Sequence, residues 1–141
     1  MGYALSLFTL KYYTPSDDVL INNAAEKNQT GTAWVKVKTI QLMTQIVGSS
    51  KFRFLFSLNA ADGGNGYGQI YRNGVAVGTE QTVVGGAGYD IKTEDINTTN
   101  WIAGDYLDLW TRMDTAFGRR IFCKDFKICA TGSEFANTLG M

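Results

Sequence analysis

The chain has 141 residues, with 13 basic side chains balancing 13 acidic ones, no histidine, one proline, two cysteines and 16 glycines. That length fits one domain able to bury roughly two-thirds of its unfolded surface, so it needs neither metal nor disulfide to fold. Without histidine the commonest general base and metal ligand are missing, and with no net charge there is no positive field to gather phosphates, which excludes nucleic acid as the main partner.

In chain order, Tyr3 to Tyr13 alternates loosely and reads as a strand with both faces partly covered. The start carries no basic leader and no clear cleavage site, and no stretch approaches the roughly 18 apolar residues of a membrane span, so a soluble chain without signal peptide or membrane insertion is expected. Thr14 to Asp18 is a turn cluster around Pro15, and after Val19, Leu20 and Ile21 the polar run Asn22 to Gly31 reads as a long loop, with one helical turn allowed at Ala24 to Lys27. Thr32 to Val47 reads as a long strand. Val35 and Val37 share one parity, Ile40, Leu42 and Ile46 the other, so a bulge is predicted near Lys38 and Thr39.

After Gly48-Ser49-Ser50 the alternation is clean, with Phe52, Phe54, Phe56 and Leu58 on one face as a core strand. Asn73-Gly74 sits between two short alternating segments and predicts a type I′ hairpin joining Tyr67–Arg72 to Val75–Gln81, since both residues tolerate positive φ. Further strands are read at Tyr89–Ile96, Tyr106–Met113 and Arg119–Ala130, the last with Phe122, Phe126 and Ile128 on one face and Lys124 out of place among them. On one continuous strand Cys123 and Cys129 would face the same way about 20 Å apart, too far to bond. They are read as free buried thiols or as links between chains. The last residues, 131–141, read as an arm or disordered tail, leaving 1–130 as the single domain.

About eight strands with regular turn signals and no credible helix predict an all-β sandwich: an eight-stranded antiparallel jelly roll, with an immunoglobulin-like sandwich as the alternative.

Three groups of residues bear on chemistry. Asp62-Gly63-Gly64-Asn65 could offer oxygens to calcium, but supplies too few ligands and is read as a connecting loop, so no metal or cofactor is expected. The acidic pairs Glu94–Asp95 and Asp105–Asp108 differ in strand parity and cannot face each other across a cleft, so no enzyme is expected. Trp34, Tyr67, Gln69, Tyr71 and Trp110 are candidates for one aromatic, uncharged surface, suited either to a subunit interface or to stacking against sugar rings. Trp101 is read as a structural plug.

The run Tyr67-Gly-Gln-Ile-Tyr-Arg-Asn-Gly-Val-Ala-Val-Gly-Thr79, then Tyr89 to Ile96, then Trp101-Ile-Ala-Gly-Asp105 and the alternating Tyr106 to Arg112, resembles the jelly-roll modules of bacteriophage and archaeal virus structural or tail proteins. More distantly it is similar to the trimeric C1q and tumour necrosis factor-like fold. The resemblance covers about residues 32 to 130. It implies a non-catalytic virion module that builds a homo-oligomer, with a trimer as the expected count, or that attaches to a host surface. A lectin-like carbohydrate-binding module is the alternative.

Overall fold

The structure, a computed structural model, describes residues 9–46, 50–115 and 117–136. Among these the chain forms ten strands: β1 (Thr9–Asn23), β2 (Lys27–Thr30), β3 (Val35–Gln41), β4 (Lys51–Ala60), β5 (Asn65–Arg72), β6 (Val75–Ala76), β7 (Gln81–Val84), β8 (Asp90–Asn97), β9 (Tyr106–Met113) and β10 (Arg120–Ala136). One sheet runs β1-β10-β4-β8 with β2 also beside β10, and the second runs β3-β9-β5-β6 with β7 also beside β5. Every pairing is antiparallel.

Ten strands occupy eight positions. β1 and β2 lie end to end along the same side of β10, and β6 and β7 do the same along β5. Numbered by position, the sheets read 1-8-3-6 and 2-7-4-5, which is jelly-roll order and not the immunoglobulin arrangement. The expected sandwich is therefore present.

The core is built on β4, whose Phe52, Phe54, Phe56 and Leu58 all point inward and are buried as predicted. Ile70, Leu107, Leu109 and Met113 face them from the second sheet, and Phe126 and Ile128 flank them on β10. Room for the phenylalanines comes from Gly68 on β5, where a Cβ would lie 2.9 Å from both Leu58 Cδ1 and Phe56 Cε2. Trp101 is buried edge-on to Phe52 and Phe54, with centroids 6.2 and 6.1 Å apart.

Several boundaries differ from the sequence reading. Pro15 and its neighbours do not end a strand. They form an outward irregularity in β1, where Thr14 pairs with Thr131 and Val19 already pairs with Cys129. The polar run after Asn22 holds no helical turn, since Lys27–Thr30 forms β2 against β10. The long strand expected from Thr32 shortens to β3, and its bulge falls at Val37, between Lys36 and Lys38. That bulge turns Lys38 inward. There its Nζ donates to the Asn23 carbonyl and Oδ1 at 2.8 and 2.9 Å, and burial pushes its pKa down.

A second bulge on β10, between Lys124 and Lys127 with Asp125 at φ 52°, resolves the misplaced lysine. It inverts parity, so Ile121 and Cys123 point inward before it, Phe126 and Ile128 after it, and Lys124 rests over the Tyr89 ring at 4.2 Å. For the same reason the two cysteines do not share a face. Cys123 enters the core, whereas Cys129 is covered on the other side, and both are free thiols. β10 also continues past Thr131 to Ala136, paired with β1, so that part of the expected tail, residues 131–136, is strand, and the rest of it is residues 137–141. These, with the Tyr3–Phe8 part of the first predicted strand and Val47 to Ser49, lie outside the described residues.

Candidate functional site

The outer face of the β3-β9-β5 sheet gathers four half-buried aromatics, Trp34, Tyr67, Tyr71 and Trp110. Along β5 the inward positions are Gly66, Gly68 and Ile70, so Tyr67, Gln69 and Tyr71 project outward. On β9, Leu107, Leu109, Thr111 and Met113 are inward, which sends Asp108, Trp110 and Arg112 out. Register then aligns Gln69 with Trp110 and Tyr67 with Arg112, and β3 adds Lys36 beside Trp110, with Trp34 just ahead of it. All five residues singled out in the sequence thus meet on one surface.

The contacts are specific. Tyr71 stacks on Trp110 with centroids 4.5 Å apart and planes 16° off parallel, and Trp34 leans on Tyr71 at 6.4 Å and 54°. The Arg112 guanidinium lies 4.1 Å from the Tyr67 ring and 5.2 Å from the Trp34 ring, joining both ends of the cluster by cation–π attraction. Gln69 Nε2 donates to the Gly78 carbonyl at 2.9 Å, which anchors the face to the β6–β7 connection. Among the described residues Trp110 Nε1 is buried and has no hydrogen-bond partner.

Charge on this face was missed in the sequence reading. Arg112 Nη2 lies 3.4 Å from both Glu80 oxygens, and Thr39 Oγ1 donates to Asp108 Oδ1 at 2.8 Å, with Asp108 only 3% exposed. Arg112 and Lys36 could have been found by extending the parity of Trp110 and Trp34 by two residues. Glu80 follows no period, because it lies in the irregular Val77–Glu80 link.

The other candidates have structural partners. Asp62 Oδ2 accepts from Arg120 N and Nε at 3.1 and 3.0 Å, and those bonds to Arg120 hold its carboxyl below the usual range. Among the described residues no cluster of three acidic or cysteine side chains could hold a metal. Glu94 accepts from Thr79 and Asp95 from Arg53.

Asp105 ties two loops together. It accepts from Arg72 Nε at 2.8 Å, Asn73 Nδ2 at 3.0 Å and Ile102 N at 2.9 Å, while the Asn73 side chain accepts from Tyr106 N at 2.8 Å. Burial alone would raise its pKa, but these donors outweigh it and the net shift is downward. The Arg-Asn-Gly and Trp-x-x-Gly-Asp sequences are the two halves of this one knot, which fixes the end of β5 and so the tilt of Tyr71.

A separate cleft of about 240 Å³ lies between β1 and the β3–β4 connection, lined by Leu20, Ile21, Leu42, Met43, Thr44 and Phe52. Met43 is 73% exposed there.

No protein-family model and no curated protein matches the chain. Among solved structures, a similar one is the EclA C-terminal domain, described as a sugar-binding protein. The alignment covers 92% of this chain and 82% of that chain at 10% identity, with a TM-score of 0.45. At that distance the ligand of this chain has to be argued from its own residues.

Proposed function

We propose that the chain is a non-catalytic carbohydrate-binding module whose ligand lies across Trp34, Tyr67, Tyr71 and Trp110. The observation that carries this reading is the convergence of four half-buried aromatic rings with interleaved hydrogen-bonding groups on one sheet face. A sugar presents an apolar C–H face and a polar rim, and rings with polar tips meet both. The rings already hold one another and Arg112, so little side-chain freedom is lost on binding. The core of a subunit interface is instead depleted of lysine and glutamate, whereas Lys36 and Glu80 lie among or beside these rings. A virion attachment module would use the same chemistry on a host-surface glycan.

Self-assembly is the second reading, and the structure favours a different surface for it. Val19, Leu20, Ile21 and Met43 are exposed beside the cleft, on the edge strand β1 and the adjoining connection, whereas none of the four rings is fully exposed. The expected trimer would form there, leaving the aromatic face open.

Two measurements decide. On a glycan array, the wild type should retain at least one saccharide class and the Tyr67→Ser/Tyr71→Ser variant should lose it while its circular dichroism stays unchanged. No retention by wild type, or equal retention by the variant, sinks the carbohydrate reading. Light scattering across a concentration series reports the second: a concentration-independent mass above one chain supports assembly, and a monomer throughout removes it.

A further inference from the structure

Resting on the carbohydrate reading, we infer that the saccharide carries an anionic substituent, a carboxylate or sulfate ester, held by Lys36 and Arg112. The two cations flank the aromatic cluster on neighbouring strands. Lys36 is aligned with Trp110 and Arg112 with Tyr67, two residues further along β9. Lys36 is exposed and, among the described residues, has no hydrogen-bond or ion-pair partner.

Arg112 is nearly as available. Both of its contacts with Glu80 run through the single nitrogen Nη2 at 3.4 Å, longer than a strong charge-assisted bond, so Nε and Nη1 are not engaged by a carboxylate. Its planar fork is held between Tyr67 and Trp34, which fixes its direction before a ligand arrives. The remaining acid of the face, Asp108, is buried and occupied by the Thr39 hydroxyl. What a ligand meets is aromatic surface with two cations, Lys36 free and Arg112 held loosely by Glu80 through one nitrogen. Two cations suit one or two anionic groups on a sugar. They do not form the continuous basic track that a nucleic-acid backbone needs, and the chain as a whole has no net charge.

The test is calorimetric titration with a galacturonic acid tetramer, the same tetramer carboxyl-reduced to neutral galactose, a galactose tetramer bearing sulfate esters, and a single-stranded oligonucleotide. The expected result is binding of at least one acidic tetramer about tenfold or more tighter than the neutral one, weakening as salt rises. Lys36→Gln, an exposed change that leaves folding intact, should reduce that preference severalfold, and Arg112→Lys should reduce it by removing the fork. Preference for carboxylate over sulfate, or the reverse, identifies the substituent. If the neutral tetramer binds as tightly as both acidic ones and Lys36→Gln changes nothing, the inference fails while the carbohydrate reading stands. If no tetramer binds and the array is also empty, both fall. Tighter binding of the oligonucleotide than of every saccharide overturns the assignment in favour of nucleic acid.

Discussion

Replacing Asp105 by Asn keeps the shape of the side chain and removes its charge from a group 5% exposed that accepts three hydrogen bonds. Breaking one side of a buried, hydrogen-bonded ion pair costs roughly 3–5 kcal/mol. Arg72 retains 26% side-chain exposure and can recover some hydration, which brings the expected loss to the low end, about 3 kcal/mol. In a domain of this size that is about 10 °C in melting temperature, read by circular dichroism at pH 7. The pH dependence gives an independent check. The native carboxyl titrates below its ordinary value, so its stabilisation is fully present above the unfolded pKa of about 3.9 and is lost as pH falls through the lower native one. The gap between wild type and Asp105→Asn should be constant from pH 7 to about 5 and narrow below about 4. A loss under 1 kcal/mol, or a gap that persists undiminished at about pH 2, would refute the knot's assigned role.

Two further outcomes follow from local geometry. Gly85→Ala should unfold the chain or cost several kcal/mol, because its Cβ would lie 2.0 Å from the Gly64 carbonyl oxygen, whereas Gly74→Ala, at φ +82° in open space, should cost only about 1–2 kcal/mol; comparable urea midpoints for the two would contradict this. Burial pushes the Cys123 thiol up to about 11 and raises Cys129 as well, so at pH 8 neither should react with a disulfide reagent until denaturant is added, when both should. Rapid labelling of the native protein, or a disulfide-linked dimer on a non-reducing gel, would count against two sealed thiols.

What could be read from the sequence was whatever strand parity alone decides. Phe52 to Leu58 alternates without interruption, and Asn73-Gly74 takes the two positive φ values, 48° and 82°, that its turn type requires. The aromatic face was legible for the same reason, since Tyr67, Gln69 and Tyr71 alternate with the inward Gly68 and Ile70. Parity misled on β10, where Asp125 adds one residue and no composition signal marks it, whereas the switch of parity between Val37 and Ile40 announced the β3 bulge, which falls at Val37. β2 and the final stretch of β10 are too polar to signal burial. Their pairing is imposed by the neighbouring strand, a tertiary effect that local propensity does not contain.

β10 is the partner of β1, β2 and β4, yet among the described strands it is the last to be made. About a hundred residues separate the end of β1 from the start of β10, so at roughly 5–20 residues per second β1 leaves the ribosome some 5–20 s before the strand it pairs with. During that interval both backbone edges of β1 are bare, and the nascent chain has a window for edge-to-edge aggregation that narrows when β10 pairs with it. Chaperone demand should therefore fall on the nascent chain, and slowing translation should lower soluble yield unless a holdase is supplied.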